Sequence, residues 1–206
     1  ILIKRPIPQW KDFGMKHYEN EMIFPFVSDG DTIVGKLPYN AQITAYFKIE
    51  AQGGEEITVL SDHYYGGGHP NVRGEYITRK GVQEYENLGW MNGQKVYYFI
   101  PKGVKVLDLK YRETGYNTEF TGSFDCNDDF YKRLWTKAER TLYVTMRDTY
   151  MDCPDRERSQ WWGDMVNEMG EAFYALDPRS NGLAKKGILE LANWQRPNHT
   201  LYSPIP

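Results

Sequence analysis

The sequence predicts a β-sandwich followed by α-helices, and a change of pattern near residue 125 separates the two parts. Before that point, short runs rich in Val, Ile, Tyr and Phe alternate with turn residues, as in antiparallel sandwiches. After it, apolar residues recur every three or four positions, which is the spacing of an amphipathic helix. We therefore expect a sandwich domain over residues 1–124 and a helical domain over residues 125–206.

Four runs carry the strand prediction. Apolar residues alternate with Lys and Asp most cleanly over residues 104–111, and the other three runs are residues 42–49, 56–60 and 95–100. Asn92 and Gly93 are predicted to form a hairpin turn, because both residue types tolerate positive φ.

Three helices are predicted in the second part. The first begins at an N-cap, either Asn127 or Asp128. The second covers residues 164–176 and ends before Pro178, since the residue before a proline is pushed out of the α region. The third covers residues 183–194. The apolar residues that set the period of the first helix are Phe130, Leu134, Trp135, Ala138, Leu142, Tyr143 and Met146.

The apolar stripes of these three helices need neighbours to cover them, and the sequence offers no fourth helix. We expect that residues beyond 206, or another chain, cover this surface.

Composition excludes several partners. The net charge of −3 gives no electrostatic footprint for nucleic acid, and no apolar run is long enough for a transmembrane helix. The N-terminus lacks the basic-then-apolar order of a signal peptide. The compartment stays open, with a periplasmic or extracellular location favoured over a cytoplasmic one.

Metal and cofactor chemistry is not expected. The four histidines are scattered and show no zinc-ligand spacing with the cysteines. Cys126 and Cys153 could pair, but two cysteines imply no disulfide framework. We predict no metal ion and no cofactor.

The most informative run is residues 152–164, Asp-Cys-Pro-Asp-Arg-Glu-Arg-Ser-Gln-Trp-Trp-Gly-Asp. Four acids, two arginines and two adjacent tryptophans suit a polar ligand with an apolar face, such as a sugar. Carboxylate pairs are also the working groups of glycoside hydrolysis. An ion-paired surface loop with a tryptophan in the core would give the same composition.

This run and its surroundings resemble the bacterial α-L-rhamnosidases of glycoside hydrolase family 78. The likeness continues through residues 111–116, 122–124 and 146–150, and residues 75–86 with Trp90 resemble the sandwich that precedes that family's catalytic domain. The catalytic domain of the family is an (α/α)6 barrel of six helical hairpins. The resemblance therefore implies that the helices here are the start of an incomplete barrel.

The resemblance also implies a proton donor. Glu157 matches the family's general acid, and Asp155 stays open as an alternative. A general acid needs a raised pKa, which we expect from neighbouring carboxylates and a tryptophan wall. Arg156 and Arg158 are accordingly predicted to pair with other acids, such as Asp155, rather than with Glu157.

The remaining roles concern sugar binding. Asp152 and Asp164 match carboxylates that hold sugar hydroxyls, and Arg156 is assigned to the same substrate site. Trp161 matches an aromatic wall against the sugar's methyl and C–H face. Trp162 is expected to support that wall or to line the aglycone side.

The function implied is release of terminal L-rhamnose from glycosides or polysaccharides with inversion of configuration. Inversion needs a second carboxylate as base, and the family's base lies in a later hairpin that nothing here matches. Glu168 and Glu171 are expected to be ordinary helix-face acids. We therefore predict a carbohydrate substrate, the rest of the barrel as a partner, and little or no hydrolysis by these 206 residues alone. A non-catalytic carbohydrate-binding module and a six-hairpin glycosidase for another sugar remain alternatives.

Overall fold

The computed structural model describes residues 4–63, 65–66, 69–70 and 73–205, the two short pairs by their backbone alone. These residues fall into two compact units. The sheet unit is Asp12–Thr114, and the helical unit combines the residues up to Lys11 with those from Gly115 onward.

Strands make up most of the sheet unit. Eight of the described strands form one sheet in the order β1-β10-β3-β9-β4-β7, with β2 paired to β10 and β8 paired to β3, and β5 and β6 pair separately. The strands are β1 (Lys11–Lys16), β2 (Phe26–Val27), β3 (Ile33–Ala51), β4 (Glu56–Ser61), β5 (Tyr65–Gly66), β6 (His69–Pro70), β7 (Arg73–Ile77), β8 (Gly81–Glu86), β9 (Met91–Phe99) and β10 (Lys105–Gly115).

The long strand β3 joins two layers of this sheet. Its first part pairs antiparallel with β9, and the register shifts between Lys36 and Ala41. Its second part lies between β10 and β8. Because side chains alternate between the faces of a strand, every second residue from Ile43 to Ile49 lies in the core. Ile43 and Ile49 themselves are 0% exposed. The predicted β-sandwich is confirmed.

The four predicted strands fall within β3, β4, β9 and β10, with small differences at their ends. The predicted hairpin turn at Asn92 and Gly93 is wrong. Both residues lie inside β9, where they pair with Gln42 and Ala41 of β3. Glycine is needed at position 93 for a different reason, since a Cβ there would lie 2.9 Å from Cβ of Ser61.

The helices are α1 (Asp129–Val144), α2 (Trp162–Ala175) and α3 (Asn181–Asn193), with a 3-10 turn at Pro178–Ser180 before α3. Asp128 is the N-cap of α1, and its carboxylate accepts the Phe130 N–H at 2.8 Å. Helix α2 begins two residues earlier than predicted. Asp177 follows its end and caps the 3-10 turn by accepting the Arg179 N–H at 3.1 Å.

The helical unit has its own core, and part of its apolar surface lies outside that core. The buried cluster is Tyr116, Leu142, Met146, Tyr150, Met165, Ala172, Ala175, Leu176, Leu183 and Ala184. Phe130 and Leu134 of α1 are 57% and 50% exposed, and Phe173 of α2 is 66% exposed. Helical spacing thus predicted the elements correctly but not which apolar residues are covered. None of the helices in the described part of the chain is long and apolar enough to span a membrane.

Candidate functional site

The acidic run forms a closed loop between α1 and α2, and we call residues 152–161 the acidic loop. Asp152 and Ser159 close it: the Asp152 N–H donates to the Ser159 carbonyl and the Ser159 N–H donates to Asp152 Oδ1, both at 3.1 Å. Arg158 has a φ of 54°, and its Nε donates to the Pro154 carbonyl at 2.8 Å. Residues 152–159 therefore have a defined shape.

Gln160 anchors the end of this loop to the helical core. It is 2% exposed, it accepts a hydrogen bond from Thr149 Oγ1 at 2.5 Å, and it donates to the Gly187 carbonyl at 3.2 Å. Its backbone exchanges two hydrogen bonds of 3.0 Å with Ile205. At Gly187 a Cβ would lie 2.7 Å from Gln160 Oε1, so the small residue on α3 makes room for the anchor.

The loop brings Asp152, Cys153 and Glu157 together. One oxygen or sulfur atom of each lies within 4.8 Å of the others. The Cys153 thiol donates to Glu157 Oε2 at 3.2 Å, and the Glu157 side chain is 29% exposed. The spacing of the two cysteines does not predict this contact between Cys153 and Glu157.

Two predictions are wrong, one about the ion-pair partner of Arg156 and one about the pKa of Glu157. The guanidinium of Arg156 forms an ion pair with Glu157, whereas we expected it to pair with another acid. This ion pair lowers the pKa of Glu157 to about 2, where a raised pKa was expected. The physical reason is adjacency: Arg156 precedes Glu157 and is 64% exposed, so it reaches the carboxylate from the solvent side. Arg158 does interact with Asp155, as predicted.

The unusual acid of this region is Glu168 on α2, and the prediction of an ordinary helix-face acid is wrong for it. Burial raises its pKa to about 8, and the negative charges of Asp164, Glu171 and Asp152 act in the same direction. The sequence held a signal for this. Glu168 lies three residues after Met165 and four before Ala172, both buried, so helical spacing puts it on the apolar face.

The other predicted site residues lie at the start of α2. Trp161 is the N-cap residue, without a side-chain capping bond, and is 38% exposed. Trp162 packs against the helical core. Asp164 is exposed in the first turn of the helix, and both it and Asp152 act electrostatically on Glu168. The structure thus brings Asp152 and Glu157 together, and the charges of Asp152 and Asp164 both reach Glu168.

The trio Asp152, Cys153 and Glu157 fits a metal ion poorly. It offers three ligand atoms, one fewer than structural zinc sites use. One of its carboxylates is already paired with Arg156. Among the described residues, this trio is the one cluster of His, Cys, Asp and Glu side chains close enough to share a metal ion. Cys126 and Cys153 do not form a disulfide bond with each other.

A known protein family matches the C-terminal part of the chain. Residues 119–206 match the family model described as the bacterial α-L-rhamnosidase 6 hairpin glycosidase domain. An α-L-rhamnosidase of Formosa agariphila is 33% identical over 57 residues, which are 28% of this chain and 6% of that protein.

Solved structures match over nearly the whole chain. The α-L-rhamnosidase from Dictyoglumus thermophilum has a TM-score of 0.77 at 21% identity, over 98% of this chain and 24% of its own. The α-L-rhamnosidase of Streptomyces avermitilis, solved in complex with L-rhamnose, has a TM-score of 0.77 at 14% identity, over 100% of this chain and 21% of its own. These likenesses establish the fold, and the chain spans about a quarter or less of the length of each relative.

Proposed function

From the similarity of residues 119–206 to a six-hairpin glycosidase domain of the bacterial α-L-rhamnosidase type, we propose that this chain is the acid-bearing segment of an α-L-rhamnosidase. Its substrates are terminal L-rhamnosides of glycosides or polysaccharides. Residues 1–124 are part of a β-sandwich domain of that enzyme, and residues 125–206 supply the first helices of its barrel.

The observation that carries this proposal is the pair of carboxyl groups of Asp152 and Glu157 on a rigidly held loop. Both belong to the trio whose atoms lie within 4.8 Å of one another, and Trp161 follows on the same loop with an exposed ring. A sugar ring offers hydroxyls for carboxylates and C–H groups for an indole face. In the proposed site Asp152 and Asp164 hold hydroxyls, and Trp161 covers the apolar face with Trp162 behind it.

Glu157 is the proposed proton donor, and Arg156 must leave it before it can act. A general acid has to be protonated when the bond breaks, and the ion pair favours the ionised form. Exposed ion pairs are weak because water competes for both charges, and Arg156 is mostly exposed. A sugar that displaces water and turns Arg156 toward its own hydroxyls leaves burial as the dominant influence, which raises the pKa of Glu157.

Inversion of configuration is the proposed stereochemical outcome. It requires a base carboxylate about 6.5–9.5 Å from the acid to activate water. We assign that base to later hairpins of the barrel. The same hairpins are the proposed cover for the exposed side chains of α1 and α2, where a cavity of about 160 Å³ is lined by Trp135, Leu142 and Tyr174 among others.

The test is hydrolysis of an aryl α-L-rhamnoside by the native full-length polypeptide and its E157Q variant. Loss of a general acid lowers the rate by roughly 10²–10⁴-fold. E86Q is the matched control, because Glu86 also pairs with an arginine, Arg112, at 2.9 Å in the sheet unit. Wild-type protein that releases no rhamnose, or E157Q with full activity, would contradict the proposal.

One observation favours a second candidate, a non-catalytic carbohydrate-binding module. Glu157 is ionised and paired with Arg156 in this structure, which suits binding of hydroxyls better than donation of a proton. Titration calorimetry with L-rhamnose separates the two: heat of binding without any hydrolysis by the native polypeptide favours the module.

A further inference from the structure

Glu168 is an acid that the proposed mechanism does not use, and its surroundings are unusual for a carboxylate. Oε2 of Glu168 is buried and has no hydrogen-bond partner among the described residues. Carboxylates are acceptors on both oxygens, and a buried acceptor without a donor is costly. A protonated carboxyl reduces that cost, because it removes the negative charge from the buried site.

The Thr145 hydroxyl, at the C-cap of α1, lowers the pKa of the Glu168 carboxyl, but by less than burial raises it. Thr145 Oγ1 donates to the Leu142 carbonyl at 2.9 Å, and a hydroxyl has a single proton to donate. Thr145 is hydrogen-bonded to Glu168 as well. Because that one proton is already used by the Leu142 carbonyl, Thr145 gives little support to the ionised form of Glu168.

Among the described residues, the charged side chains that act most strongly on Glu168 are acids. Tyr150, in the segment after α1, is 1% exposed and interacts electrostatically with Glu168. Its hydroxyl has no hydrogen-bond partner in the described part of the chain. Asp152 acts on Glu168 from the acidic loop, and Asp164 and Glu171 act from its own helix.

We infer that Glu168 is a positioning residue for Asp152 and Asp164. Its carboxyl carries a proton at neutral pH, so no third negative charge acts on the two aspartates. This consequence for the sugar site rests on the proposed function. With Glu168 neutral, the two aspartates stay in place to accept hydrogen bonds from sugar hydroxyls. With Glu168 ionised, three carboxylates repel one another, and the loop and the start of α2 move apart.

Two further facts agree with this role. Burial raises the pKa of Glu168 to about 8, so the group changes charge just above neutral pH. The neighbouring hydroxyl of Tyr150 has a raised pKa for the same reason, burial, with the charge of Glu168 acting in the same direction. Both groups are therefore neutral at pH 7.

The first arm of the test is protonation, measured on the native full-length polypeptide by its carboxylic acid infrared band. E168Q keeps the shape of the side chain and cannot ionise, and E171Q is the matched control, because Glu171 is exposed on the same helix. We expect a band that persists at pH 7, disappears above pH 9, and is missing from E168Q alone. Its absence from the wild type at pH 7 would overturn the inference.

The second arm is the pH profile of rhamnoside hydrolysis. The basic limb of kcat/KM reports a group of the free enzyme that must stay protonated. We expect the KM of the wild type to rise above about pH 8 and the KM of E168Q to stay constant there, since glutamine stays neutral. A limb that is unchanged in E168Q would contradict the role of Glu168.

The two arms also separate the inference from the proposed function. If no rhamnoside is hydrolysed but the infrared band behaves as expected, the function is wrong and the protonated Glu168 stands. If hydrolysis occurs without the band at pH 7, the function stands and the inference is wrong. If E168Q does not fold, the pH dependence of the band in the wild type still decides the first arm.

Discussion

Two buried tyrosines, one in each unit, differ in how their hydroxyl groups are hydrogen-bonded. Tyr98 of the sheet unit is 0% exposed and Tyr150 of the helical unit is 1% exposed. The Tyr98 hydroxyl lies 2.6 Å from that of Tyr18 and within 3.1 Å of the carbonyls of Lys110 and Tyr46. The Tyr150 hydroxyl has no partner among the described residues.

Unpaired buried polar atoms occur in both units, because Asn92 and Asp108 of the sheet unit each have one as well. Buried polar groups are hydrogen-bonded in nearly all native structures, and Tyr98 follows that rule. Tyr150 and Glu168 depart from it together, and they lie beside the acidic loop. Such departures are expected at functional sites.

The largest expected effect concerns the pH dependence of stability in the helical unit. Between the ordinary pKa of 4.5 and the raised value of about 8, folded Glu168 holds a proton that the unfolded chain has lost. The free energy of unfolding therefore falls as the pH rises through this window. The shift corresponds to at most about 5 kcal/mol, because each pKa unit is worth 1.36 kcal/mol and water reaches part of the group.

Urea unfolding of the wild type and E168Q at pH 5 and pH 8 measures this effect. We expect the variant to lose less stability between the two pH values, and E171Q to follow the wild type. Equal losses in the wild type and E168Q would mean that Glu168 ionises normally in the folded protein.

The next effect compares the two tyrosines directly. Removing the Tyr98 hydroxyl breaks its hydrogen bonds with Tyr18 and with the backbone carbonyls, and Y98F should destabilise the protein by about 1–3 kcal/mol. Y150F removes a buried hydroxyl that has no partner and should be neutral or stabilising. Denaturant unfolding at pH 7 measures both, and a Y150F variant as destabilised as Y98F would show that the hydroxyl of Tyr150 has a partner in solution.

The smallest effect on stability is expected at Arg156. R156M removes an exposed ion pair, so the melting temperature should stay unchanged. The pKa of Glu157 should rise from about 2 toward the ordinary value of 4.5, and NMR titration of the carboxyl carbon measures it. R158M is the control, since Arg158 interacts with Asp155 instead. A pKa that stays near 2 in R156M would assign the shift to Cys153 and the backbone.

Sequence patterns predicted the elements well, because strand alternation and helical spacing are local properties. Asp128 as N-cap and the three helices are examples. The turn assigned to Asn92 and Gly93 failed because a glycine also serves close packing, here against Ser61. That signal is not local, since the two residues are adjacent only in the folded sheet.

The candidate site was marked by sequence composition, which does not report the charge states of its side chains. The composition of residues 152–164 marked the loop, whereas the pairing of Arg156 with Glu157 depends on side-chain directions that spacing does not report. The raised pKa of Glu168 depends on burial. Its position between Met165 and Ala172 indicated that burial, and the acidic neighbours Asp164 and Glu171 indicated the direction of the shift.

Proton donation by Glu157 is tested most directly by varying the leaving group of the rhamnoside. A dinitrophenolate leaves without a proton, whereas an alkoxide needs one. In the native full-length polypeptide, E157Q should lose hydrolysis of an alkyl α-L-rhamnoside by roughly 10²–10⁴-fold and keep most of its activity on the dinitrophenyl rhamnoside. Equal losses on both substrates, or no loss on either, would show that Glu157 does not donate the proton.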